Sequence, residues 1–132
     1  MKKILFIEDD VSVLQPFYED LQETYNFYVN WIKKAEEVMG ALEGDIYNAI
    51  IMDIMMPVPE SWTKDEKRRA DYGMTTGILL FQKIREKYPE IPILIYSAKE
   101  GIHMDELSNY IRKPEQTQTI VDKLKKLMND EK

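Results

Sequence analysis

Three carboxylates each stand directly after a short apolar run, and these acids are the first candidates for chemistry. Glu8 and Asp9 follow residues 4–7, and Asp53 follows residues 49–52. Crowded carboxylates repel one another unless a cation joins them or one keeps its proton. Oxygen ligands without histidine or thiolate favour a hard ion, and sharing that ion with phosphate favours Mg²⁺. The acids therefore predict a magnesium site where an aspartate oxygen could attack a phosphoryl donor in line.

Two further polar groups follow later strand-like segments. Ser97 ends the apolar run of residues 93–96, and Lys113 follows residues 109–112. The serine hydroxyl and the lysine ammonium can both donate to phosphoryl oxygens, and the ammonium could also pair with Asp53. An added phosphoryl group brings roughly two negative charges, which would draw both donors and reorder nearby loops. These groups predict a phosphorylation switch.

The apolar pattern predicts the elements that position these groups. Three-and-four spacing predicts helices after the first, second, third and fifth strands, with Asp10 capping the first helix. Pro16 predicts that this helix starts late or is kinked, and Pro114 suits the first turn of the last helix. Alternating strands and helices predict an α/β fold whose parallel sheet gathers ligands at the carboxyl ends of its strands. The apolar runs predict strands near residues 4–7, 27–31, 49–52, 93–96 and 109–112.

The bulk properties favour one folded domain. The chain has 132 residues, 44% hydrophobic and 32% charged, so a single domain over 1–132 without an output domain is expected. A net charge of -6 disfavours binding to nucleic acid or to an anionic membrane. The absence of cysteine excludes disulfides and thiolate chemistry. No run approaches the ~18 apolar residues of a membrane span, so we expect a cytoplasmic protein.

Four strings, ILFIEDD, IIMDIMMP, ILIYSAKE and YIRKPE, resemble the strand ends of response-regulator receiver domains of two-component signalling. The resemblance covers nearly the whole chain, and the strings occur in the family's order. It implies a flavodoxin-like, doubly wound (βα)5 fold with a five-stranded parallel sheet in the order 2-1-3-4-5.

The resemblance also implies roles for the polar residues. Asp53 would be the phosphoacceptor and would bind Mg²⁺ directly together with Asp9, while Glu8 would act through water. The backbone carbonyl of Met55 would be a further metal ligand, and Lys113 would be the family's lysine. A domain of this kind promotes its own phosphorylation and dephosphorylation.

The switch and the partners follow from the same resemblance. Ser97 would be the hydroxyl switch residue and Tyr110 the aromatic one, although Tyr110 could be no more than an edge-strand aromatic. A histidine kinase or phosphotransfer protein would donate the phosphoryl group, and a downstream protein would receive the signal.

Two segments depart from the family pattern. Residues 58–76 intervene before Gly77, where the family has only a few residues, and could form a lid, a docking surface or a plain solvated loop. Residues 99–109 form a segment about one and a half helical turns shorter than the family has between its fourth and fifth strands. This predicts a shortened helix there, and a monomer or a non-standard dimer. His103, in this segment, is interpreted as an exposed loop residue rather than a phosphate carrier.

Two other functions remain open on the sequence. A magnesium-dependent phosphohydrolase would use Asp53 as nucleophile, but Met55 stands where a second aspartate would supply the general acid. A pseudo-receiver would bind its partner constitutively, without phosphorylation.

Overall fold

The short apolar runs form one parallel sheet in the computed structural model, which describes residues 1–99 and 105–129. The strand order is β2-β1-β3-β4-β5, and every neighbouring pair is parallel. This confirms the predicted α/β fold class and strand order. The strands are β1 (Lys3–Ile7), β2 (Tyr28–Ile32), β3 (Ala49–Met52), β4 (Ile93–Ser97) and β5 (Ser108–Arg112).

Helices cover both faces of the sheet. Helices α1 and α5 share one apolar cluster with the sheet, and α2 and α4 share the other. A short 3₁₀ turn precedes α2, and α3 lies within the segment 58–76. The helices are α1 (Val11–Glu23), α2 (Val38–Gly44), α3 (Lys64–Arg69), α4 (Thr76–Lys87) and α5 (Thr117–Leu127).

Apart from Lys3 in β1 and Ser97 in β4, the central strands β1, β3 and β4 are apolar, because helices bury both of their faces. In β1, Phe6 packs in the cluster with α1 and α5, whereas Leu5 packs in the cluster with α2 and α4. On β3, Ile51 packs in the cluster with α1 and α5, and Ile50 packs in the cluster with α2 and α4. This double burial explains why continuous apolar runs, rather than alternating ones, marked these strands.

The structure differs from the sequence predictions at Pro16 and at Pro114. Helix α1 begins at Val11, with the Asp10 side chain accepting from the Val13 amide at 3.4 Å, so the cap is confirmed and a late start is wrong. Pro16 lies inside the helix. Pro114 is not in the first turn of α5, because the Glu115 amide donates to the Tyr96 hydroxyl at 3.1 Å and keeps this stretch against β4.

The segment 58–76, which we call the insertion, is folded rather than a plain solvated loop. Its helix α3 begins with a capping box, in which Thr63 and Glu66 bond each other's backbone amides. Glu66 also accepts from Lys83 of α4 at 2.5 Å, and Trp62 packs against the core on the α4 side. Ala70 is fully buried. The insertion is therefore attached to α4.

The connection between β4 and β5 is described only in part. His103 and the centre of the predicted shortened helix lie outside the described residues, so both interpretations stay predictions. In the described part of this connection, Asp105 accepts from the Arg85 guanidinium of α4 at 2.7 Å. Within residues 1–99 and 105–129, no helix is both long and apolar enough to cross a membrane.

Candidate functional site

The register of the sheet brings the candidate residues to one edge. Ile7 of β1 pairs with Met52 of β3, so the residues that follow, Glu8 and Asp53, leave neighbouring strands side by side. Ser97 ends β4 opposite Arg112 of β5, one residue before the lysine. Because all five strands are parallel, their carboxyl ends meet at this edge, as ligand sites in such folds require.

The three acids form one cluster of oxygen atoms. One carboxylate oxygen from each of Glu8, Asp9 and Asp53 lies within 4.8 Å of the others. Glu8 and Asp53 are buried, 1% and 7% exposed, whereas Asp9 faces solvent. Oxygen donors without nitrogen or sulfur suit a hard divalent cation. The donor set therefore fits an ion such as Mg²⁺, which Asp9 would meet from the open side.

Lys113 crosses β4 to reach two of these acids. Its ammonium donates to Asp53 Oδ2 at 3.1 Å and to Glu8 Oε1. The other Asp53 oxygen, Oδ1, accepts from the Ile54 amide at 2.7 Å. The Tyr96 ring lies 5.5 Å from the ammonium, a cation–π distance. The Asp53 carboxylate is thus held at both oxygens.

Burial and mutual repulsion shift the protonation of the site. Burial, and then the charge of Asp53, raise the pKa of Glu8 to about 7, against the partial opposition of Lys113. Burial alone would lower the pKa of Lys113, but hydrogen bonds and charges from Glu8 and Asp53 outweigh it and raise the pKa. At neutral pH the lysine is therefore charged, and Glu8 is divided between its two protonation states.

Trp31 fixes the backbone that carries the first acidic pair. Its indole N–H donates to the Glu8 carbonyl at 2.8 Å, and the Glu8 amide donates to the Ile32 carbonyl at 3.0 Å. The indole packs on Phe6 and Tyr18 at ring distances of 5.1 and 5.0 Å. Sequence reasoning placed Trp31 on an edge strand and missed this contact, because no local pattern shows which side chain crosses from β2 to β1.

The loop after Asp53 runs very close to the start of α4. The Gly77 amide donates to the Ile54 carbonyl at 2.7 Å, and a Cβ at Gly77 would lie 2.2 Å from the Asp53 carbonyl oxygen. Met55 is exposed, while the buried Thr76 hydroxyl donates to the Met56 carbonyl at 2.6 Å. Glycine is therefore required where the insertion ends, and Thr76 is a second residue that sequence reasoning missed.

Ser97 and Tyr110 meet at the segment that follows β4. The Ser97 side chain is fully buried, and its hydroxyl accepts from the Lys99 amide at 3.3 Å. The Tyr110 hydroxyl donates to the Lys99 carbonyl at 2.6 Å and lies 3.3 Å from the Ser97 carbonyl. Both residues predicted as switches are thus bonded to the backbone of Lys99.

Comparison with known proteins identifies the fold. No family model and no curated protein sequence matches the chain. A response regulator protein from Thermotoga maritima, solved in complex with Mg²⁺ and BeF, is 23% identical with a TM-score of 0.73, covering 96% of this chain and 99% of that one.

Two further solved structures agree. A response regulator receiver domain protein from Methanospirillum hungatei is 20% identical with a TM-score of 0.75, covering 99% of this chain and 96% of that one. The receiver domain of a sensor histidine kinase from Pseudomonas aeruginosa, with a magnesium ion in its active site cleft, is 20% identical with a TM-score of 0.71, covering 97% and 98%. The chain therefore has the fold of response-regulator receiver domains over nearly its whole length.

Proposed function

We propose that this chain is a phosphoacceptor signalling domain that takes a phosphoryl group on Asp53 and thereby switches a protein–protein interaction. The observation that carries the proposal is the meeting of Glu8, Asp9 and Asp53 with Lys113 at the ligand edge of a receiver fold. Structural neighbours from Thermotoga maritima and Pseudomonas aeruginosa hold magnesium, and the first also holds BeF.

Magnesium is the metal that the donor set fits. Asp9 and Asp53 would bind it directly, Glu8 would act through water, and the Met55 carbonyl would complete the protein's ligands. The bound ion would offset the negative charge of the transferring phosphoryl group. The exposure of Asp9 leaves room on the solvent side for the ion's water molecules and for the donor.

The protein's own groups orient the attacking carboxylate. The Ile54 amide and Lys113 hold the two oxygens of Asp53, so the carboxylate needs little reorganisation before reaction. An Asp53 oxygen forms a bond to phosphorus as the bond between phosphorus and the donor's leaving group breaks. Lys113 then exchanges a carboxylate oxygen for a phosphoryl oxygen as its partner.

The switch would run through the backbone of Lys99. If the Ser97 hydroxyl turns toward the new phosphoryl group, it leaves the Lys99 amide that it now accepts from. Because Tyr110 donates to the carbonyl of the same residue, a shift of Lys99 would release or re-aim the tyrosine. A charge change at Asp53 would thus reach β5, the strand at the edge of the sheet.

Intact mass after incubation with acetyl phosphate and Mg²⁺ tests the proposal. We expect wild type to gain the mass of one phosphoryl group, and Asp53→Asn to gain none. Asp10→Asn is the matched control, since Asp10 is an exposed neighbouring acid that caps α1. Equal labelling of wild type and Asp53→Asn, or no labelling of either, would contradict the proposal.

The two alternative functions are less well supported. A phosphohydrolase needs a general acid beside the nucleophile, and the position two residues after Asp53 is held by the exposed side chain of Met55. A constitutive pseudo-receiver would not need Asp53 held at both of its oxygens. Steady turnover of a phosphomonoester, or partner binding unchanged in Asp53→Ala, would favour these functions.

We further infer a histidine kinase or phosphotransfer protein as the donor, together with self-catalysed phosphorylation and dephosphorylation. The monomer or non-standard dimer and the cytoplasmic location remain predictions from the sequence. We also infer that the downstream partner is a protein; the net charge of -6 disfavours nucleic acid.

A further inference from the structure

The insertion holds the peptide group between Met55 and Met56. The Met56 amide donates to the carbonyl of Gly73 at 3.1 Å. This peptide is trans, so the Met55 carbonyl points to the opposite side from the Met56 N–H, which donates to Gly73. Fixing the amide therefore fixes the direction of the Met55 carbonyl.

The next peptide group is also held by the insertion. The Thr76 hydroxyl donates to the Met56 carbonyl at 2.6 Å, and Thr76 is 0% exposed. Both backbone groups of Met56 are thus bonded to residues between Gly73 and Thr76. A buried carbonyl held in this way has no freedom to rotate without losing a hydrogen bond.

The insertion is itself anchored, so it can act as a fixed support. The Thr75 amide donates to the Ala70 carbonyl at 2.9 Å, and α3 is joined to α4 through Glu66 and Lys83. Gly73 has φ +111°, and a Cβ there would lie 3.3 Å from the Met56 carbonyl oxygen. The close approach of the two backbones depends on glycine at this position.

We propose that Gly73 and Thr76 are positioning residues for the Met55 carbonyl as a metal ligand, so that the insertion sets the magnesium affinity of the site. This inference rests on the proposed function, in which the Met55 carbonyl binds Mg²⁺. Partners that orient a metal ligand change affinity when they are removed, typically by about 10-fold or more. A merely structural Thr76 would instead change stability and leave metal affinity alone.

Thr76→Val and Thr76→Ser separate these roles. Valine keeps the shape but leaves the Met56 carbonyl without its donor, whereas serine keeps the hydroxyl. We expect the Kd for Mg²⁺, measured by NMR titration of the full chain with magnesium chloride, to rise roughly 10-fold in Thr76→Val. Thr76→Ser should stay within about 2-fold of wild type. Thermal melts without metal establish that each variant is folded.

Gly73→Ala is the second variant, should Thr76→Val fail to fold. Alanine at φ +111° crowds the Met56 carbonyl, so we expect weaker magnesium binding and faster hydrogen exchange at the Met56 amide. Folded Thr76→Val or Gly73→Ala with wild-type Kd would overturn the inference. Wild type that binds no Mg²⁺, or binds it as well as Asp53→Asn does, would instead overturn the proposed function and the inference with it.

Discussion

The ammonium of Lys113 lies 3.1 Å from Asp53 Oδ2, although the two residues follow strands that are separated by β4. The same ammonium also bonds the buried Glu8. One cation therefore serves two carboxylates that are almost completely removed from water. The balance of charge at this edge governs both the stability of the domain and the chemistry that we propose for it.

Replacing Lys113 by methionine should be strongly destabilising at neutral pH. Two buried carboxylates would lose their cation, and breaking a buried pair in this way costs about 3–5 kcal/mol. Urea unfolding at pH 7.5 measures the loss. Lys3→Met is the matched control, because its bridge to Asp45 is more exposed to solvent and is expected to contribute much less to stability. Equal losses for both variants would contradict this account of the site.

Glu8 should make the metal-free protein less stable as pH rises through the neutral range. Its pKa of about 7 in the folded protein exceeds its ordinary value of 4.5, so between these values the folded state binds more protons than the unfolded state. Titration of Glu8 therefore lowers the free energy of unfolding by on the order of 3 kcal/mol between about pH 4.5 and 7. Above this range Glu8 causes no further change. Urea unfolding with a chelator measures this fall.

Glu8→Gln removes the titrating group. The free energy of unfolding of this variant minus that of wild type should therefore increase between about pH 4.5 and 7. A constant difference between the two proteins from pH 4.5 to 8 would refute this assignment. Protons and Mg²⁺ also compete for Glu8, so magnesium binding by wild type should weaken as pH falls below about 7.

Gly77 and Gly40 should respond in opposite ways to alanine. At Gly77 a Cβ would overlap the Asp53 backbone at 2.2 Å, so Gly77→Ala must displace the loop that follows Asp53 and should cost about 3 kcal/mol or more. At Gly40, an exposed position in α2, nothing lies within 4 Å, and alanine should stabilise by up to about 1 kcal/mol. Thermal unfolding of both variants is the measurement. Similar shifts in Tm for the two variants would contradict the steric overlap expected at Gly77.

Trp31 should report magnesium binding by its fluorescence. Its indole N–H is bonded to the Glu8 carbonyl, immediately before Asp9, so an ion drawn to these acids alters the field at the ring. Trp62, the other tryptophan, lies on the insertion. We expect Trp62→Phe to keep most of the emission change on adding Mg²⁺ and Trp31→Phe to lose it. A response that disappears only in Trp62→Phe would assign the change to the insertion.

The fold could be predicted from sequence because its signals are local. Continuous apolar runs such as residues 49–52 report burial on both faces, and helical spacing reports the covering layers. Acids at the ends of those runs then indicated the site, because parallel strands place their carboxyl ends together. The expectation for Pro114 failed because a tertiary contact, the hydrogen bond of the Glu115 amide to the Tyr96 hydroxyl, overrode local preference. At Pro16 the late start of the helix was wrong, and a kink stays a prediction.

The sequence by itself therefore determined the parallel sheet and the acids at its ligand edge, since both follow from which residues are apolar and where each run stops. Only the tertiary structure decided that Lys113 serves Glu8 as well as Asp53, that Trp31 holds the Glu8 carbonyl, and that the insertion holds Met56. These contacts join residues on different elements, and their partners depend on packing in three dimensions rather than on spacing along the chain.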